Sequence, residues 1–169
     1  MELKKYQQTC INDLQDYFDE LKKVNDLKQS YYNYWLSRDI DLNEIENDDF
    51  LHSYDNTVAG VPRVMFKVPT AGGKTFLACN AIKTIFDNLP DNKLKVVAWF
   101  VPSDTILKQT FDNLNNPNHP YRQKINVLFG GRVEVVNKEL ALQGQHIQPN
   151  ELGDQLTIFV LSVQSFASN

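Results

Sequence analysis

An α/β fold built on a mostly parallel sheet is what this sequence predicts, and three observations predict it. Beyond Pro62, short apolar runs alternate with segments whose apolar residues recur every three or four positions. The runs are apolar at successive positions rather than at every second one, as in strands covered on both faces. Finally, a chain of 169 residues with 42% hydrophobic and 22% charged residues suits one compact domain. A domain of that size buries roughly 70% of its unfolded surface.

The elements follow in chain order. Leu3, Tyr6, Cys10, Ile11, Leu14, Tyr17, Phe18, Leu21 and Val24 mark the buried stripe of an amphipathic helix over residues 1–24. Residues 25–60 read as an acidic and aromatic insertion, with a short helix around Tyr31-Tyr32-Asn33-Tyr34-Trp35-Leu36. Those aromatics are expected to cover the core rather than stack bases. A Gly60-Val61-Pro62 break opens the remaining core, residues 61–169. There, residues 64–68 (Val-Met-Phe-Lys-Val) predict a buried strand, and residues 69–73 (Pro-Thr-Ala-Gly-Gly) a turn. A helix runs from Lys74 to about Asn88, with Leu77, Ala78, Ala81, Ile82 and Ile85 on one face. Residues 94–101 form a second strand, stopped by Pro102-Ser103, and Ile106, Leu107, Thr110, Phe111 and Leu114 mark another helix. A polar turn region from Asn115 to Pro120 leads to the apolar residues 125–129, which Gly130-Gly131 turns into residues 133–136. Residues 156–161 are the last apolar strand.

Charge and composition exclude several classes. No apolar run reaches the ~20 residues a bilayer span needs, and the N-terminus lacks a signal peptide's apolar stretch. The net charge of −4 argues against a module that grips nucleic acid by bulk electrostatics. The charge is unevenly divided, with 6 Lys/Arg against 13 Asp/Glu in residues 1–60 and 11 against 8 in the rest. Much of the deficit lies in Asp39, Asp41, Glu44, Glu46, Asp48, Asp49 and Asp55, which read as a solvated surface segment. Cys10 and Cys79 share no metal or redox spacing and suit core thiols in a reducing compartment, so the cytoplasm is expected. His52, His119 and His146 are scattered in polar sequence and read as surface groups.

The chemistry concentrates in Val68-Pro69-Thr70-Ala71-Gly72-Gly73-Lys74-Thr75, whose end matches the phosphate-binding pattern G-x-x-x-x-G-K-[ST], or Walker A. Successive backbone N–H groups in such a loop face phosphate oxygens, and the helix that follows offers its positive end. Gly72 and Gly73 permit a close approach of the backbone. Lys74 would reach the β- and γ-phosphates, and the Thr75 hydroxyl would help hold Mg²⁺. The pattern's first glycine is replaced by Val68. The asparagine-lysine pair Asn137-Lys138 lacks the aspartate of a GTPase base-recognition motif, because Leu140 stands in its place.

Residues 69–75 resemble motif I of superfamily 2 DEAD/DEAH-box helicases, which tolerate loss of that first glycine. Extended upstream through residues 61–68, the stretch is similar to the Res subunit of type III restriction enzymes. Leu3-Lys4-Lys5-Tyr6-Gln7 resembles the family's upstream signature, which implies that Gln7 reads adenine. Val101-Pro102-Ser103, with Leu107 and Gln109, resembles motif Ia. Ser162-Val163-Gln164 resembles the later Thr-x-Gln segment, with serine for threonine. By this resemblance Pro102, Ser103, Ser162 and Gln164 touch a nucleic-acid backbone. Gln7, Thr70, Ala71, Gly72, Gly73, Lys74 and Thr75 would bind ATP, with Lys74 and Thr75 catalytic and Thr75 on Mg²⁺. The implied fold is a P-loop NTPase (RecA-like) lobe, incomplete at its C-terminal end. The implied function is that of an ATP-dependent DNA translocase or helicase, with DNA and a modification (methyltransferase) subunit as partners and no membrane.

That family hydrolyses ATP with an Asp-Glu-x-His segment, whereas the one Asp-Glu pair here, Asp19-Glu20, is followed by Leu21-Lys22 within the first helix. The chain is therefore expected to be an N-terminal piece of a longer motor, inactive alone and prone to associate. Two rivals stay open. A self-contained P-loop kinase or NTPase needs an acid after a strand, and the strand ends offer only Asp104. A non-catalytic interaction domain needs no nucleotide at all.

Overall fold

The computed structural model describes residues 1–41, 53–89, 94–144 and 153–164. Most of the expected acidic stretch, with His52 and His146, lies outside the described residues. The chain divides into two compact units, Glu2–Gly72 and Gly73–Asn169.

The N-terminal unit is a helical hairpin followed by an extended segment. Helix α1 (Lys5–Val24) buries Leu14, Tyr17 and Phe18 of the expected stripe and also Gln7, while Tyr6 stays exposed. Asn25 ends it in the left-handed conformation (φ 55°), and Lys22 and Lys23 sit in the last turn, where cations suit the helix dipole. Asp26 then accepts the Gln29 N–H at 2.7 Å and starts α2 (Leu27–Leu36). The hairpin is antiparallel. Ser30 meets the Glu20 carbonyl, Tyr34 packs edge-on to Tyr17, and Arg38 bonds Asp13 (3.0 Å) and Asp16 (2.9 Å). The guanidinium of Arg38 also lies 3.8 Å from the Tyr34 ring centre. The tyrosine-rich run thus packs against α1 as a set of tilted and edge-on rings that includes Tyr31, Trp35 and Tyr54. Burial pushes the Tyr17 phenol up to about 12.

One expectation fails in this unit. Residues 64–68 form no strand. Val64 and Met65 are exposed, Met65 by 71%, because no described strand pairs with this segment. A β-run needs a hydrogen-bonded neighbour, and apolar sequence alone does not supply one.

The C-terminal unit is the α/β body. It contains α3 (Lys74–Asn88), β1 (Lys95–Val101), α4 (Asp104–Asn115), α5 (Pro120–Leu128), β2 (Val133–Val136), α6 (Lys138–Leu142) and β3 (Leu156–Ser162). The sheet is entirely parallel, in the order β1-β3-β2, with Val97 beside Ile158 and Val135 beside the same residue on the other flank. The mixed α/β fold with a parallel sheet therefore stands as expected. Cys79 and Ile82 of α3, Leu114 of α4 and Ile125 of α5 close over Val133, Val135, Leu156, Ile158 and Val160. Cys79 is a core thiol as anticipated, and burial pushes it up to about 12.

Two details differ from the sequence reading. Residues 125–129 do not form an extended run. His119 accepts the Tyr121 N–H, Pro120 takes the first helical position, and the apolar residues lie largely within α5. Arg122 fastens this helix, donating to the carbonyls of Leu114 (3.2 Å) and Val133 (2.7 Å) and to Asn126 (2.9 Å). Second, the outer face of the sheet is open at β1 among the described residues. The side of β1 carrying Val97 and Trp99 packs on the core, while Val96 and Phe100 on the other side are 41% and 54% exposed. On that second face, Thr157 of β3 is buried with its hydroxyl unpartnered among the described residues.

Candidate functional site

The loop begins with a turn. The Gly72 N–H donates to the Pro69 carbonyl at 3.0 Å, which places Thr70 and Ala71 at the exposed tip. Ala71 sits at φ 61°, a left-handed conformation that a side chain adopts at a cost of about 1–2 kcal/mol. Gly72 has no space for a side chain, since a Cβ there would stand 2.6 Å from Val68 Cγ1 and 2.8 Å from the Pro69 carbonyl oxygen. Val68, which replaces the pattern's first glycine, thus helps to define the tightness of the bend.

Gly73 is also left-handed, at φ 68° and ψ 38°, and it is the residue from which α3 starts. Its carbonyl accepts the Leu77 N–H at 3.0 Å, the first bond of the helix. No side chain caps this helix start, and no acid lies in its first turn. Four of the other described helices differ. Asp26, Ser103, His119 and Asn137 each accept a first-turn N–H, while the Lys4 N–H at the head of α1 donates to Gln7 Oε1. The α3 start leaves first-turn donors without an intrahelical acceptor, and these suit phosphate oxygens. Lys74, exposed on this first turn, supplies a positive charge, and Thr75 follows as a half-buried residue. This helix start offers backbone N–H groups and, at Lys74, a cation without an ion-pair partner among the described residues.

Gln7 is held within the N-terminal unit. It is only 3% exposed, takes the Lys4 N–H on Oε1 at 2.9 Å and donates from Nε2 to the Gly72 carbonyl at 3.0 Å. The side chain expected to read a base therefore contacts the turn at Gly72. Tyr6, its neighbour, donates its hydroxyl to the same carbonyl. The sequence gives Tyr6 a place on the apolar stripe and in the signature that ends at Gln7, without a role of its own.

The four expected nucleic-acid residues gather at one end of the sheet. Val101 pairs with Ser162 at the carboxyl ends of neighbouring parallel strands, and the Val163 N–H donates to the Val101 carbonyl at 3.0 Å. Pro102 and Gln164 are exposed there. Ser103 is half-buried and caps α4, and Ser162 is fully buried. Carboxyl ends of parallel strands are where open α/β sheets bind ligands. Among the described residues no group of His, Cys, Asp or Glu could hold a metal ion, and no helix is long and apolar enough to cross a membrane.

Compared with known families, residues 1–169 match that described as type III restriction enzyme, res subunit. No curated protein and no solved structure matches the chain.

Proposed function

The chain belongs to the type III restriction enzyme res-subunit family, and on that premise we propose that it is the ATP-binding part of an ATP-dependent DNA translocase or helicase. The family has the P-loop NTPase fold, is ATP-dependent and helicase-like, and uses ATP and Mg²⁺. Type III restriction enzymes interact with DNA.

One observation carries the reading to particular residues: the bend at 69–73 ends in a left-handed glycine at the head of a helix that no described side chain caps. Thr70 to Gly73 would engage the phosphate tail through backbone amides. Lys74 would neutralise the β- and γ-phosphates, and the Thr75 hydroxyl would ligate Mg²⁺. The metal, when bound, supplies charge stabilisation to the phosphoryl group. Each charge-assisted hydrogen bond contributes about 1.5–3 kcal/mol, so several together give usable affinity. Gln7 would contact adenine, and Pro102, Ser103, Ser162 and Gln164 would lie along the nucleic-acid track.

Because no Asp-Glu-x-His follows a strand in these 169 residues, the chain by itself is expected to bind Mg-nucleotide weakly without turnover. Thermal melts with and without millimolar Mg-ATP test this, since a ligand that binds only the folded state raises the midpoint. An unchanged midpoint would favour a non-catalytic interaction domain. Steady hydrolysis by the pure chain, lost on Lys74→Ala, would refute the expected inactivity.

A further inference from the structure

We propose that Tyr6 is a positioning residue for the phosphate loop, a proposal that rests on the nucleotide reading above. Two side-chain donors, the Tyr6 hydroxyl and Gln7 Nε2, converge on one carbonyl, that of Gly72, across 66 and 65 residues of sequence. The peptide they hold joins Gly72 to Gly73 and is trans. In a trans peptide the C=O and the following N–H point in opposite directions. Fixing the Gly72 oxygen against α1 therefore fixes the Gly73 N–H away from it.

That control matters because a peptide flanked by two glycines meets little steric resistance to flipping. Flipped, it would turn an oxygen rather than an N–H toward an anion, exchanging attraction for repulsion. Packing alone does not exclude this, because glycine brings no side chain to wedge the plane. A Cβ placed on Gly72 would approach Tyr6 Oη to 3.5 Å, so the ring stands directly against the bend. Tyr6 is also 40% exposed, and its hydroxyl is therefore of little value to the fold itself. Its hydrogen bond serves the orientation of the loop.

The test uses Tyr6→Phe, which keeps the ring, and Tyr6→Leu, which removes it. Affinities for Mg-ATP, Mg-GTP and inorganic tripolyphosphate are measured by direct titration of the folded 169-residue chain. Loss of one hydrogen bond predicts about fivefold weaker binding of all three by Tyr6→Phe. The ATP-to-GTP ratio should stay unchanged, and Tyr6→Leu should lose as much. In the nucleotide-free chain, the Gly73 amide resonance should move in Tyr6→Phe while the thermal midpoint holds. The proposal falls if Tyr6→Phe binds tripolyphosphate like the parent, if only the base preference changes, or if the Gly73 resonance stays in place. A parent chain that binds none of the three ligands overturns the nucleotide reading instead, and the Gly73 resonance still reports on the positioning.

Discussion

Helices α3 and α4 lie in the same unit, and they begin in opposite ways. Ser103 closes the head of α4 by accepting the Ile106 N–H, with Asp104 in the first turn beside the positive end of the dipole. Gly73 leaves the head of α3 without a side-chain cap, and the next side chain is a lysine, the wrong charge for that end. One start is completed from within the chain. The other is left open by Gly73, and in the function proposed above an external anion would complete it. The difference shows how two residues decide whether a helix terminus is closed by its own chain or left open.

The largest way to break this comparison is Lys74→Ala. It should lower Mg-ATP affinity by roughly 10- to 100-fold, as loss of a charge-assisted contact implies, and leave the nucleotide-free melt nearly untouched because Lys74 is exposed. Titration alongside a melt checks both halves. Gly72→Ala comes next. Its Cβ would clash with Val68 and Pro69, so the bend must open, and about 1–3 kcal/mol of stability should go together with nucleotide binding. Denaturant unfolding of the two proteins gives the first figure. Ser103→Ala should cost about 1 kcal/mol of stability and leave nucleotide affinity alone, which separates a folding cap from a binding one. The smallest effect belongs to Ala71→Gly. Relief of the left-handed strain at φ 61° is partly offset by the entropy glycine loses on folding, which leaves a gain of a few tenths of a kcal/mol, about one degree in the melt.

The sequence was readable wherever local periodicity decides structure. The bounds of α3 follow from its apolar spacing together with the Gly-Gly pair, and β1 and β3 follow from uninterrupted apolar runs. It was unreadable where a partner decides. Residues 64–68 have a strand's composition, yet they find no neighbouring strand among the described residues. In α5 the apolar end drew attention away from the His119-Pro120 start, whose capping chemistry prevails. At the candidate site, Lys74 and Thr75 were legible from the motif, and the left-handed Gly73 agrees with the freedom glycine was expected to provide there. The Tyr6 contact was not, because nothing in a five-residue window reports on a carbonyl 66 positions away.

The open side of β1 bears on how any of these measurements is made. Phe100 and Val96 present a greasy flank beside the outer strand β1, and such flanks find one another as protein concentration rises. Melting midpoints should therefore climb with protein concentration even before nucleotide is added. A dilution series belongs ahead of every titration, and Phe100→Gln offers a quieter background on which to run it.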